Sequence, residues 1–125
     1  MHVLDTSALI EVVHGTKEGG RIIDALDSGQ AAITSLTVFE IFRNLKASEA
    51  EVFRKVLFGI NVLDFDSTAA TESVKIEKEL AGTGEKIGVV DIMIAGICKK
   101  YDFALMTADK DFTKVKGLKV FLFTS

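Results

Sequence analysis

Cysteine occurs once, as Cys98, and proline does not occur at all. A single thiol excludes an intramolecular disulfide, so the fold has to rest on its apolar core. No run is both long and apolar enough for a bilayer. The stretch from Val89 to Cys98 is short and carries Asp91, which excludes a membrane-spanning helix. No basic region followed by an apolar one opens the chain, so a secretory signal is not expected and the cytoplasm is the expected compartment. A net positive charge is also lacking. At −3 the chain is poorly suited to coat DNA without regard to sequence, because phosphate affinity needs a positive surface. The average conceals a polarity. Lys99 to Lys119 holds six Lys against three Asp, whereas Asp64 to Glu85 holds six acids against two Lys.

What is present is apolar side chain, 48% of 125 residues, enough for one compact domain spanning residues 1–125 and too little for two. Strand-like runs occur at "HVL" (2–4), "AAIT" (31–34), "INVLDF" (60–65), "FALMT" (103–107) and "LKVFLF" (118–123). Their interiors are continuous rather than alternating, as expected of strands covered on both faces. Helical patterns lie between them. One begins at Ala8–Val13, and Ile22, Ile23 and Leu26 mark a second. A third covers Ser35–Leu45, and Val52, Phe53, Val56 and Leu57 mark a fourth. Val74, Glu77 and Leu80 share a stripe of a longer helix expected to end at Gly82, and Val90–Tyr101 forms the last. This alternation predicts a parallel sheet, right-handed crossovers and helices on both sides. "GTGEKIG" (82–88) reads as a flexible loop.

In an open parallel sheet, ligands bind at the carboxyl ends of the strands, where the strand order reverses. That rule gathers four acids. Asp5 follows the first strand and Asp109 the fourth. Glu40 sits early in the helix after the second strand, and Asp91 opens the helix leading into the fourth. Asp24, Asp27 and Asp102 fall at the opposite edge. Each member of the quartet has a plainer reading. "TVFE" fits a capping box with Thr37 as N-cap and Glu40 reaching back, with Arg43 available to pair with Glu40. Asp91 and Asp109 fit N-caps or favour a helix dipole, and Asp5 fits an Asx turn. Asp91 resists such a reading best, because it shares a stripe with Ala95 and Cys98, the packed face of its helix. Two carboxylates ~5 Å apart repel by ~3 kcal/mol at an effective dielectric constant of ~20. A divalent metal removes that cost, and an all-oxygen donor set favours Mg²⁺ or Mn²⁺ over Zn²⁺.

Other chemistries fit poorly. His2 in an N-terminal tail and His14 in a loop are badly placed to serve a nucleophile, and Cys98 reads as a small core residue. "DTSALIE" has no glycine, so no phosphate-binding loop follows the first strand. A phospho-acceptor site would need an acidic pair after the first strand and a Lys after the last, and neither is there. Thr6 and Ser7 are hydroxyls suited to hold a metal-bound water or to cap the first helix.

"VLDTSALIE", "TSLTVFEIFRNL" and "GVVDIMIAGICKKYDFALMTADKDF", in this order along the chain, resemble the PIN domain (PilT N-terminus) of single-domain prokaryotic proteins. The resemblance implies a three-layer α/β/α fold on a five-stranded parallel sheet whose acids bind Mg²⁺ or Mn²⁺ and hydrolyse RNA phosphodiesters. Small stand-alone members are commonly VapC-type toxins held silent by an antitoxin protein. The family's four acids match Asp5, Glu40, Asp91 and Asp109; Asp111 matches a further acid, and Ser7 and Thr107 match accompanying polar positions. A non-catalytic module acting by protein or RNA binding is the alternative, disfavoured by the intact acids. Lys110, Lys114, Lys116, Arg43 and Lys46 are candidates for flanking phosphates. The apolar residues of 36–45 and 52–58 exceed what one helix face buries, so a homodimer is expected, with part of the same surface open to an antitoxin.

Overall fold

The computed structural model describes residues 1–26 and 30–123; Asp27 lies outside the described residues. Five parallel strands, β1 (His2–Leu4), β2 (Ala31–Thr34), β3 (Asn61–Leu63), β4 (Ala104–Thr107) and β5 (Val120–Leu122), form one sheet in the order β3-β2-β1-β4-β5. The helices are α1 (Thr6–His14), α2 (Lys17–Ala25), α3 (Ser35–Phe42), α4 (Ala47–Leu57), α5 (Ser67–Thr83) and α6 (Val89–Tyr101), with a short 3-10 helix at Lys110–Lys114. The chain builds outward from β1 to β3, then returns to the other side of β1 for β4 and β5. The strand order therefore reverses between β1 and β4, whose register pairs Leu4 with Met106. The crevice for a ligand opens just beyond that pair.

Side-chain alternation along the central strands divides the core in two. Val3 and Leu105 point to one face, packing with Ile76, Leu80, Ile94, Ala95 and Cys98 of α5 and α6. Leu4 and Met106 point to the other, against Leu9, Ile22, Ile41 and Phe53 of α1 to α4. Leu9, Ile22, Ile33, Leu105 and Met106 are fully enclosed, each worth ~1.5–3 kcal/mol of burial. The expectation of strands covered on both faces holds for β1, β2 and β4. It fails for β3 and β5, where Val62, Phe121 and Leu122 stand exposed, because these strands are the sheet edges.

Short polar residues at strand ends start the helices. Asp5 caps α1 by accepting from the Ala8 amide, Thr34 caps α3 through Thr37, and Asp66 caps α5 through Ala69, each such cap worth ~1 kcal/mol. Gly15 and Gly84 end α1 and α5 in the left-handed region, at φ 64° and 73°. The helix expected to stop at Gly82 thus runs past it to Thr83. Its buried stripe is Ala69, Ser73, Ile76 and Leu80, so Val74 and Glu77 face solvent, contrary to the stripe expected from the sequence. α6 lies close against α5 because Gly96 has no side chain; a Cβ there would meet the Ser73 hydroxyl and sit 2.7 Å from the Ala69 carbonyl. That contact seats the helix that carries Asp91.

His2 belongs to β1 and is half-buried rather than lying in a tail, and His14 is the exposed last residue of α1 rather than a loop residue. Much of the apolar surplus in α3 and α4 is consumed by packing, with Ile41 and Phe53 buried. Phe39, Val52 and Phe58 remain exposed, Phe58 almost completely. Among the described residues, no helix is long and apolar enough to cross a membrane.

Candidate active site

Beyond the carboxyl ends of β1 and β4 lies a cavity of about 330 Å³ lined by Asp5, Glu40, Asp91 and Asp109, with Thr6 and Ser7 between them and Ile10 and Ile94 as apolar walls. All four acids singled out from the sequence therefore border one space. A larger cleft of about 510 Å³ lies between the end of α5 and the 3-10 helix, but it mixes Glu79 and Glu85 with Lys114 and Lys116. It gathers no charge of one sign, and chemistry rather than size decides between them.

Asp5 is the best anchored member. It is 5% exposed, and its Oδ1 accepts from Ser7 Oγ at 2.6 Å and from the Ala8 amide at 3.0 Å. Its Oδ2 accepts from the Thr107 hydroxyl. Those two hydroxyls in turn accept from the amides of Ala108, at 3.1 Å to Ser7, and Asp109, at 2.9 Å to Thr107. The loop after β4 is thus clasped to the start of α1, fixing where Asp109 stands. Asp109 caps the 3-10 helix by accepting from the Asp111 amide at 2.8 Å. Capping and convergence on the cavity coexist in Asp5 and Asp109: Asp109 is the N-cap that the plain reading expected, whereas Asp5 caps α1 through the amide three residues on rather than forming an Asx turn.

The capping box at "TVFE" does not form. Thr34 rather than Thr37 starts α3, so Glu40 lies in its second turn, not early in the helix. Its carboxylate accepts from Thr6 Oγ1 at 3.1 Å. Arg43 does not neutralise it, for the guanidinium lies over the Phe39 ring, 5.3 Å from its centroid. Asp91 is no N-cap either. Gly88 occupies that position, and Asp91 projects from the first turn of α6.

Electrostatics marks the cavity as one that resists its own charge. The Asp91 carboxyl is pushed up to about 6, by burial first and then by repulsion from Asp109, Glu40, Asp5 and Asp111. Burial also raises Asp5, against the hydrogen bonds from Ser7, Thr107 and Ala8 that favour its charged form. Asp111 turns outward and pairs with Lys114 at 2.9 Å, so it does not line the cavity. Lys110, Lys114, Lys116, Arg43 and Lys46 do not line it either. Cys98 is enclosed below, its thiol pushed up to about 12 by burial and by the charge of Asp5, which removes it as a nucleophile.

Among the described residues, no three Asp, Glu, His or Cys side chains are arranged to hold one metal ion between them. A hard cation that keeps several waters and takes one or two carboxylates directly suits such a set, whereas an ion needing a closed protein cage does not. The donors are all oxygen and they repel one another, which is the chemistry such a cation relieves.

The residue whose place was least foreseeable is Thr6. A sequence separation of 34 hides its bond to Glu40, and no local pattern signals it.

The PIN domain family model matches residues 2–118. A tRNA(fMet)-specific endonuclease VapC from Shigella flexneri is 32% identical over 94% of this chain and 93% of its own length. A second protein of that name, from Salmonella typhimurium, is 28% identical over 94% of each chain. Among solved structures, a chain of DNA-bound VapBC from Salmonella typhimurium superposes with a TM-score of 0.84 at 27% identity, covering 96% of each chain. A chain of VapBC2 from Rickettsia felis, bound to a promoter DNA fragment, gives 0.85 at 17% identity over 98% of each, a likeness of fold.

Proposed function

The chain belongs to the PIN domain family, and from that premise we propose that it is a VapC-type endoribonuclease, the toxin of a toxin–antitoxin pair, hydrolysing RNA phosphodiesters with Mg²⁺ or Mn²⁺. The observation that carries this reading is the convergence of Asp5, Glu40, Asp91 and Asp109 on one cavity at the reversal of strand order. Asp5 and Asp91 would hold the cation, with Asp109 and Glu40 directly or through water. When bound, the cation neutralises the carboxylates, offsets phosphate charge and lowers the pKa of its water.

The chain's own residues do the rest. Ser7 and Thr107 keep both oxygens of Asp5 aimed and favour its charged form by donating to them, and their links to the amides of Ala108 and Asp109 set the depth of the Asp109 loop. Ile10 and Ile94 are the apolar walls of the cavity and lower the local dielectric around the acids. Among the described residues no histidine lines the cavity, so there is no His pair to activate a ribose 2′-hydroxyl, and water is the nucleophile in this reading. The products are then a 5′-phosphate and a 3′-hydroxyl.

The relatives named for tRNA(fMet) make the initiator tRNA the first substrate to offer, and an RNA substrate of that kind supports the cytoplasm as the compartment. The VapBC likeness supports an antitoxin protein as partner. The exposed Phe39, Val52 and Phe58 support a homodimer, and a strictly monomeric mass by light scattering at micromolar concentration would remove that part of the reading. The decisive experiment incubates the purified protein with initiator tRNA and with bulk RNA, in Mg²⁺ and in EDTA, and maps the ends. Cutting only with metal and 5′-phosphate products are expected. Cutting that persists in EDTA, or 2′,3′-cyclic phosphate ends, overturns the mechanism; no cutting of either RNA favours the binding-module alternative.

A further inference from the structure

We propose that Thr6 is a positioning residue that acts through Glu40, holding that carboxylate at the cation-binding cavity by its hydroxyl; the proposal rests on the ribonuclease reading above. Glu40 differs from the other three acids. Asp5 and Asp109 are short and are pinned by backbone amides at helix starts, and Asp91 is carried on a first helical turn seated by the Gly96 contact. Glu40 has an extra rotatable bond and stands in the second turn of α3, past the amides of the helix start that pin a capping acid. Ordering such a side chain costs more rotamer entropy than ordering an Asp.

It also has somewhere else to go. Glu40 and Thr6 form part of the wall between the acid cavity and a neighbouring cleft of about 260 Å³, which contains His14, Asn44 and Glu49. Repulsion between Glu40 and Asp91 pushes the two carboxylates apart. The Thr6 hydroxyl opposes that push, donating to Oε1 at 3.1 Å, and among the described residues it is the hydrogen-bond partner of this carboxylate. Thr6 is the first residue of α1 and stands between Asp5 and Ser7, both tied by hydrogen bonds into the clasp to the loop after β4. One tripeptide thus presents Asp5 directly and Glu40 at second hand.

The test measures Mg²⁺ and Mn²⁺ binding by calorimetry, without RNA, on the parent, Thr6→Val, Thr6→Ser, Glu40→Gln and the Thr6→Val/Glu40→Gln double variant, with kcat and KM on tRNA alongside. Valine keeps the shape and removes the hydroxyl; serine keeps the hydroxyl. Thr6→Val is expected to weaken metal binding about three- to tenfold, the worth of one ordinary, partly solvated hydrogen bond, and to lower kcat with little change in KM. Thr6→Ser is expected to recover both. In the Glu40→Gln background, where the amide oxygen still accepts from Thr6 but the charge it positions is gone, Thr6→Val is expected to add no further loss of metal binding. The proposal is overturned if Thr6→Val matches the parent, if serine fails to rescue, or if valine costs as much without the Glu40 charge as with it. A parent that binds neither metal overturns the ribonuclease reading itself, whereas a parent that binds metal normally beside an unaffected Thr6→Val overturns the role of Thr6 alone.

Discussion

Replacing Asp91 with Asn removes one charge from the cavity at nearly constant shape, and its consequences are opposite for stability and for activity. The Asp91 carboxyl is raised from 3.8 to about 6, which at 1.36 kcal/mol per unit corresponds to at most ~3 kcal/mol of folded-state penalty on the ionised form. Asp91 is only half-buried, and screening by solvent reduces this to ~1.5 kcal/mol. The dipole of α6 works the other way, since an acid in a first helical turn contributes ~0.5 kcal/mol. The net gain for the variant is ~1 kcal/mol, or roughly 4 °C in Tm for a domain of this size. The sign follows from linkage. A carboxyl whose pKa is raised on folding makes the native state hold its proton more tightly. Stability is therefore full below about pH 4, falls as pH climbs from there through about 6, and is level above. Melting curves of parent and Asp91→Asn in EDTA at pH 7.5 are expected to favour the variant, and at pH 4 the two are expected to coincide. Mg²⁺ at a hundred times its dissociation constant is expected to stabilise the parent by ~2.7 kcal/mol, and the variant by much less, while RNA cleavage by the variant is lost. A variant that melts lower in EDTA at pH 7.5 and still cleaves RNA would refute the reasoning, because Asp91 would then be a structural acid.

Removing either hydroxyl that serves Asp5, by Ser7→Ala or Thr107→Val, leaves a carboxylate oxygen in a buried place with a donor fewer; each is expected to cost ~1–3 kcal/mol in urea unfolding and to reduce RNA cleavage. Thr107→Ser, which keeps the donor, is expected to retain most of both. Gly96→Ala drives a methyl into Ser73 and the Ala69 carbonyl and is expected to lower stability by ~1–3 kcal/mol, read as an earlier denaturation midpoint; an unchanged midpoint would show that α5 and α6 can separate at no cost. Cys98, enclosed and with its thiol pushed up to about 12, is expected to stay inert to Ellman's reagent at pH 8 until the protein is unfolded, and a fast reaction in the native state would contradict its burial.

The alternation of apolar runs and helical stripes was sufficient to predict a parallel sheet with helices on both sides. Because such a sheet has a carboxyl edge, the order of elements was also sufficient to bring Asp5, Glu40, Asp91 and Asp109 to the same side. Both follow from information carried by neighbours in the chain: the period of burial, the handedness of crossovers, and the position of a residue just after a strand. What tertiary structure alone decided are contacts between residues far apart in sequence. Thr107 and Asp5 are 102 positions apart, and Thr6 and Glu40 are 34 apart; no local pattern encodes such a pair. For the same reason "TVFE" misled. It has the composition of a capping box, but pairing of Thr34 with Leu63 in the sheet carries β2 right up to α3 and makes Thr34 the cap. Asp111 and Lys114 could have faced the cavity or each other, and the single turn of 3-10 helix between them put each within reach of the other. The period-two and period-three-to-four patterns are local and survive in any compact fold, so the sequence determined the layers and the edge. Which hydroxyl meets which carboxylate depends on where separate elements come to rest against one another, and only the packed molecule decides that.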